Sequence, residues 1–139
     1  MNIFVVRRNS GFGGAERVAE RIARRFEALY PTTRLWAGEV YGDRKIPGRR
    51  GPPWWRSLRF TRHLDRLNLR SGRDNVVFSL EYGPDCDIYR AGDGVHKLNV
   101  QRRFRGSPRW MLNPWHWLAP RLERKCLETA RVIIANSDL

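Results

Sequence analysis

A short apolar run with β-branched residues, Asn2 to Val6, gives way at Asn9, Ser10, Gly11, Gly13 and Gly14 to a glycine-rich loop, and from Ala15 the apolar positions change period. The run reads as a buried strand and the loop as a tight turn. Val18, Ala19, Ile22, Ala23, Phe26 and Leu29 then recur at helical spacing, with Arg17, Glu20, Arg21, Arg24 and Arg25 on the other side. This predicts an amphipathic helix to about Tyr30, stopped at Pro31. A second strand over Thr33 to Val40 completes a β-α-β unit, the kind that builds parallel sheets.

Further along, Asp43 to Pro53 has no period and reads as an exposed loop, and Trp54 to Leu69 as a basic helix with Trp54, Leu58, Thr61, Leu64 and Leu67 on one face. Asn75 to Leu80 and Asp87 to Ala91 are β-like runs separated by the turn residues Gly83, Pro84 and Asp85. Arg102 to Pro114 is basic and aromatic without clear period. Trp115 to Thr129 turns helical, with Trp117, Leu118, Leu122, Cys126 and Leu127 as its apolar positions, and Arg131 to Ala135 reads as another buried strand. Asn136, Ser137, Asp138 and Leu139 read as a helix cap with no helix after it, which raises the expectation of a chain cut short. The economical fold is α/β: one Rossmann-like, open, mostly parallel sheet of about five strands with flanking helices.

Length and charge narrow the partners. At 139 residues the chain suits one domain, and about two-thirds of the unfolded surface is buried at that size, so disulfides are not needed. Cys86 and Cys126 lie far apart without metal or redox spacing and read as buried or idle thiols. The segment Met1 to Val6 lacks the features of a signal peptide. No apolar stretch approaches the roughly 20 residues that span a bilayer, so a cytoplasmic location is expected. The 27 basic and 14 acidic residues leave a net charge of +13, carried almost wholly by arginine. An anionic partner follows, with a solvated basic surface as the alternative, and arginine's planar fork favours phosphate.

Three groups of residues carry candidate chemistry. The loop Asn9-Ser-Gly-Phe-Gly-Gly-Ala-Glu-Arg17 joins a strand to a helix amino terminus, where free N–H groups and the helix dipole favour an anion. Gly13 and Gly14 let a ligand approach the backbone closely. Glu16 stands where a dinucleotide fingerprint needs glycine, and no phosphate-loop motif is present; the alternative is a turn that merely connects its elements. Asp93 and His96, in Tyr89-Arg-Ala-Gly-Asp-Gly-Val-His96, fall at the carboxyl end of a strand, where open α/β sheets bind ligands. Asp93 there either accepts hydrogen bonds from sugar hydroxyls or caps its own turn. Glu81, Asp85, Asp87, Asp93 and His96 fit no metal-ligand spacing. Last, Trp54, Trp55, Arg56 and Arg59, with the basic aromatic stretch from Arg102 to Trp117, suit either an anionic membrane interface or inward packing.

Together these residues resemble the amino-terminal domain of the retaining glycosyltransferases with two Rossmann-like domains (GT-B), a family that includes lipopolysaccharide-core sugar transferases. Gly13-Gly14-Ala-Glu-Arg17 matches that family's Gly-Gly-x-Glu-Arg. Tyr89-Arg-Ala-Gly-Asp93 resembles the strand-end Tyr-x-Ala-x-Asp of the lipopolysaccharide-core glucosyltransferases, and Val132-Ile-Ile-Ala-Asn-Ser137 the strand before their interdomain region. The resemblance implies a hexosyltransferase whose donor, a nucleotide-sugar, is held mainly by a carboxyl-terminal domain absent from this chain. The donor diphosphate would lie near Gly13 and Gly14, with Glu16, Arg17 and His96 also on the substrate, and Asp93 beside the transferred sugar as the catalytic residue. The acceptor, a lipopolysaccharide-core or other glycan or glycolipid, would sit on the present domain, at the cytoplasmic face of the inner membrane if attached peripherally. The leaving phosphate would serve as base, so no cofactor and no obligatory metal is expected, and the chain alone would be inactive. The rival is a basic nucleic-acid-binding α/β module, resting on the charge and on arginine beside aromatics. No helix-turn-helix, RNP, KH or zinc pattern supports it, so no nucleic-acid partner is expected. A nicotinamide-dependent oxidoreductase is a weaker rival, disfavoured by Glu16.

Overall fold

The computed structural model describes residues 1–8, 13–37, 40–41, 44–45, 51–92, 95–104 and 107–135. The apolar opening forms strand β1 (Asn2–Arg7), and helix α1 (Gly14–Leu29) follows the glycine loop. Strand β2 (Arg34–Ala37) returns beside β1, shorter than the expected Thr33 to Val40. Val40–Tyr41 (β3), at the end of the expected second strand, pairs with Arg44–Lys45 (β4), in the expected loop, as a small antiparallel hairpin; residues 43 and 46–50 of that loop lie outside the described residues. Helix α2 (Pro53–Leu67) ends at Asn68, whose left-handed backbone (φ 45°) breaks the helix. Then come β5 (Asn75–Ser79), β6 (Ile88–Ala91), α3 (His96–Phe104), α4 (Pro114–Thr129) and β7 (Val132–Ala135).

The main sheet has five strands in the order β2-β1-β5-β6-β7, with every pairing parallel. After β2 the chain crosses back over β1 to place β5 on its far side, so the strand order reverses between β1 and β5. This is one of the common doubly wound orders, and its crevice opens at the carboxyl ends of those two strands.

Alternation along β1 divides the core between the two faces. Ile3 and Val5 point with Phe78 and Leu80 toward Ala19 and Ala23 of α1. Val6 points the other way, with Val77 and Tyr89, toward Phe60 and Leu64 of α2 and Cys126 of α4. Val5, Val6 and Val77 are fully buried, and each such side chain contributes about 1.5–3 kcal/mol by leaving water. Asp87 pins the start of β6: its carboxylate accepts from the Val77 N–H at 3.0 Å and pairs with Arg70 at 3.0 Å, while its carbonyl accepts from Val132 N–H.

Four expectations change. The buried face of α2 is Ser57, Phe60, Thr61 and Leu64, and Leu67, the last residue of the helix, is exposed. The buried face of α4 is Ala119, Leu122, Glu123 and Cys126, leaving Trp117 and Leu127 in solvent. β7 is exposed on all four residues. It pairs only with β6, and among the described residues no helix covers it. Finally, α3 ends within the stretch from Arg102 to Pro114 that reads as lacking a clear period, and its start falls in no predicted element. His96, Val100 and Phe104 are spaced four apart on one face, so a histidine stands where periodicity looks for an apolar residue.

Candidate functional site

β1 ends on Arg7, and the strand's direction delivers its guanidinium to the mouth of the crevice. Nη1 donates to the Leu80 carbonyl at 3.0 Å and lies 3.3 Å from Glu81 Oε2, while Nη2 lies 3.3 Å from Glu16 Oε1. The Arg7 side chain is only 11% exposed, and those of the two carboxylates 16% and 9%. One shielded cation is thus shared between two acids, one from the first turn of α1 and one just past β5. Such a pair is held by geometry, since the attraction must offset the desolvation of all three groups.

Beside this triad lies a crevice of about 200 Å³, bordered by Arg7, Gly14, Ala15, Leu80, Arg90 and Gly92. It is smaller than the roughly 300–1,000 Å³ that encloses a drug-sized ligand, and so has room for part of one. The amino terminus of α1 opens onto it. Gly13 is the N-cap and supplies no side-chain cap bond, which leaves first-turn N–H groups available to an anion. The two glycines have different reasons. A Cβ on Gly13 would collide with the Glu16 carboxylate where it folds back toward Arg7, whereas a Cβ on Gly14 would meet nothing within 4 Å. Gly13 makes room for the triad; Gly14 leaves the crevice open.

The structure thus brings Gly13, Gly14 and Glu16 together at one edge of the sheet, with Gly92 of the strand-end motif beside them. Asp93 lies outside the described residues, as do residues 9–12 of the glycine loop and 136–139. Arg17 is exposed on α1 and does not border the crevice. His96 sits elsewhere, in the contact between α3 and α4. Its Nε2 is 3.0 Å from His116 Nδ1, its ring meets Trp115 edge-on at 6.0 Å, and its backbone N–H donates to Glu123 Oε2 at 3.3 Å. Burial and then the nearby His116 hold His96 below the ordinary histidine range; burial and then Arg103 do the same to His116. Burial raises the Glu123 carboxyl.

The carboxylates drawn from the sequence as a loose cluster are separated by their own cations: Glu81 by Arg7, Asp85 by Lys125 at 3.4 Å, and Asp87 by Arg70. Among the described residues no group of three metal-ligating side chains forms. The tryptophans of α2 divide. Trp54 is half-buried and meets Trp55 edge-on at 5.7 Å, while Trp55 is 37% exposed; Arg56 is half-buried and Arg59 exposed. Among the described residues no helix is long and apolar enough to cross a membrane.

Sequence reasoning missed Arg7, Glu81 and Arg90 as parts of the site, and Arg8 as the residue that anchors the strand behind it. Arg7 and Arg8 read only as the end of an apolar run, although a cation closing a strand beside a glycine loop is itself a signal. Arg8 hydrogen-bonds Ser57 and stands 5.9 Å over the Trp115 ring, tying β1 to α2 and α4.

No protein-family model matches this sequence, and no curated protein matches it significantly. Among solved structures it is similar to the crystal structure of WaaG, a glycosyltransferase involved in lipopolysaccharide biosynthesis, with a TM-score of 0.69 at 18% identity. The match covers 95% of this chain and 38% of WaaG, so the chain spans well under half the length of its structural neighbour. The likeness is one of fold: a Rossmann-like α/β sheet matching part of that structure.

Removing the shared cation exposes its role. Arg7→Met leaves Glu16 and Glu81 facing each other without compensation and is expected to destabilise the fold by about 3 kcal/mol at pH 7. Removing the acids in the same background, as Arg7→Met with Glu16→Gln and Glu81→Gln, should recover most of the loss. Urea unfolding of the two variants measures this; a loss that stays the same once the acids are neutral would reduce Arg7 to a packing residue.

Proposed function

We propose that this chain is the amino-terminal, acceptor-side half of a glycosyltransferase that moves a hexose from a nucleotide-sugar to a glycan or glycolipid acceptor. The observation that carries the reading is the uncapped amino terminus of α1 at Gly14, facing Arg7 and Arg90 across the crevice at the strand-order reversal. Backbone N–H groups, a helix dipole and two guanidiniums converge there on a space suited to a diphosphate. Glu16 and Glu81 neutralise Arg7 in part, so Arg90 and the helix terminus supply most of the attraction.

In this reading a second domain holds the nucleotide and sugar, in keeping with the length of the structural neighbour. Such a division explains why the crevice accommodates only a fragment of the donor. Asp93, one residue past the crevice-lining Gly92, is proposed to hydrogen-bond the reacting sugar, with the leaving phosphate as base and no metal required.

The exposed parts of the α2 start, Trp55 and Arg59, support a peripheral seat on an anionic membrane. Each basic residue near such a surface contributes about 1 kcal/mol. The chain should sediment with vesicles containing phosphatidylglycerol at low salt and leave them as salt rises; equal binding to neutral vesicles, or none to either, would remove this part of the proposal.

Two substitutions separate positioning from chemistry in the two-domain enzyme. Gly14→Val should leave stability nearly unchanged, because its side chain enters open space, and should weaken nucleotide-sugar binding by filling the crevice. Asp93→Ala should lower kcat more than it weakens nucleotide binding, as expected for a contact made mainly in the transition state. Sugar transfer and nucleotide affinity measured on both variants, with circular dichroism for folding, test the assignments. Near-normal turnover in Asp93→Ala would return that residue to a turn cap.

A further inference from the structure

A cavity larger than the crevice lies away from it and shares no residue with it. It has a volume of about 450 Å³ and opens between α3, the 3-10 segment Pro108–Leu112 and α4. Its apolar surface is aromatic. Trp110 and Trp117 lie with ring centres 5.8 Å apart and planes inclined by 36°, and the Trp117 indole N–H donates to the Met111 carbonyl at 2.8 Å, which fixes the ring while 47% of the residue stays exposed. Along α4, Trp117, Arg121, Arg124 and Glu128 follow at helical spacing and share one face. Opposite them, α3 contributes Lys97 and Gln101.

The charges here are unbalanced. Lys125 is occupied by Asp65 at 2.7 Å and Asp85 at 3.4 Å. Lys97, Arg121 and Arg124 make no ion pair among the described residues, and the one carboxylate lining the cavity is Glu128. Three available cations around a tryptophan platform call for an anion joined to a flat, partly apolar body.

We propose that this cavity binds a phosphorylated saccharide, with the phosphate among Arg121, Arg124 and Lys97 and the sugar ring against Trp110 and Trp117. The polar side chains select the body. Gln101, Glu128 and the imidazoles of His96 and His116 surround the platform, and together they can accept and donate to several hydroxyls. The long walls are α-helices whose backbone groups are bonded internally, so little backbone edge is available to read a nucleobase. Val100 and Pro120 are the remaining apolar lining, too little to enclose an acyl chain. The site stands on this cavity alone and does not depend on the transfer reaction.

Isothermal titration calorimetry of the chain with glucose 6-phosphate, glucose, inorganic phosphate and uridine monophosphate tests the assignment. Glucose 6-phosphate is expected to bind at least tenfold tighter than glucose or phosphate alone. Arg124→Ala and Trp117→Ala, both at exposed positions, should each weaken it at least tenfold with unchanged circular dichroism, and Gly14→Val should leave it unchanged. That last variant separates this site from the crevice. Binding no tighter than phosphate alone, or insensitive to Arg124→Ala and Trp117→Ala, would overturn the proposal. Tighter binding of uridine monophosphate, or displacement of the sugar phosphate by phosphatidylglycerol vesicles, would likewise overturn it in favour of a nucleotide site or a lipid surface.

Discussion

The guanidinium of Arg7, held between Glu16 and Glu81, is the interaction around which the edge of this sheet is arranged. It joins the end of β1, the first turn of α1 and the segment after β5 in one shielded contact. Parallel strands have no hairpin to tie their carboxyl ends together, so a side chain must do it. The arrangement accounts for two features at once. Gly13 has no side chain because the Glu16 carboxylate needs that space, and the amino terminus of α1 is held facing the crevice. A substitution at Arg7 would therefore disturb stability and site geometry together.

Much of this was legible in the residues. The run at β1, the glycine break and the apolar stripe of α1 specify a strand, a loop and a helix by period alone, and two further β-like runs separated by a Gly-Pro-Asp turn place β5 and β6. Gly83 in that turn adopts a positive φ of 110° against Thr61 of α2, the conformation that favours glycine. Periodicity failed where a residue type stood in for another. His96 takes an apolar position on α3, and Val132, Ile133 and Ile134 form an exposed edge despite their composition. Period reports which residues share a face, and it does not report what lies opposite that face.

The site was legible in part for a related reason. Gly13, Gly14 and Glu16 are neighbours in sequence, and their motif could be read directly. Arg7, Glu81 and Arg90 belong to three different strand ends and meet only through the reversal of strand order between β1 and β5. His96 was drawn into the same site by its closeness in sequence to Asp93, yet α3 carries it to His116 and α4. The basic charge is likewise divided. Arg7 and Arg90 face a small crevice, while Arg121, Arg124 and Lys97 ring a larger aromatic cavity. The net charge of +13 is thus divided between separate surfaces.

The central claim is that the crevice between β1 and β5 receives a diphosphate at the amino terminus of α1. Amide NMR of the chain titrated with inorganic diphosphate tests it most directly. Saturable shifts at Gly14, Ala15 and Gly92 that weaken with salt are the predicted result. Saturation of other amides while those three remain unmoved would contradict the account.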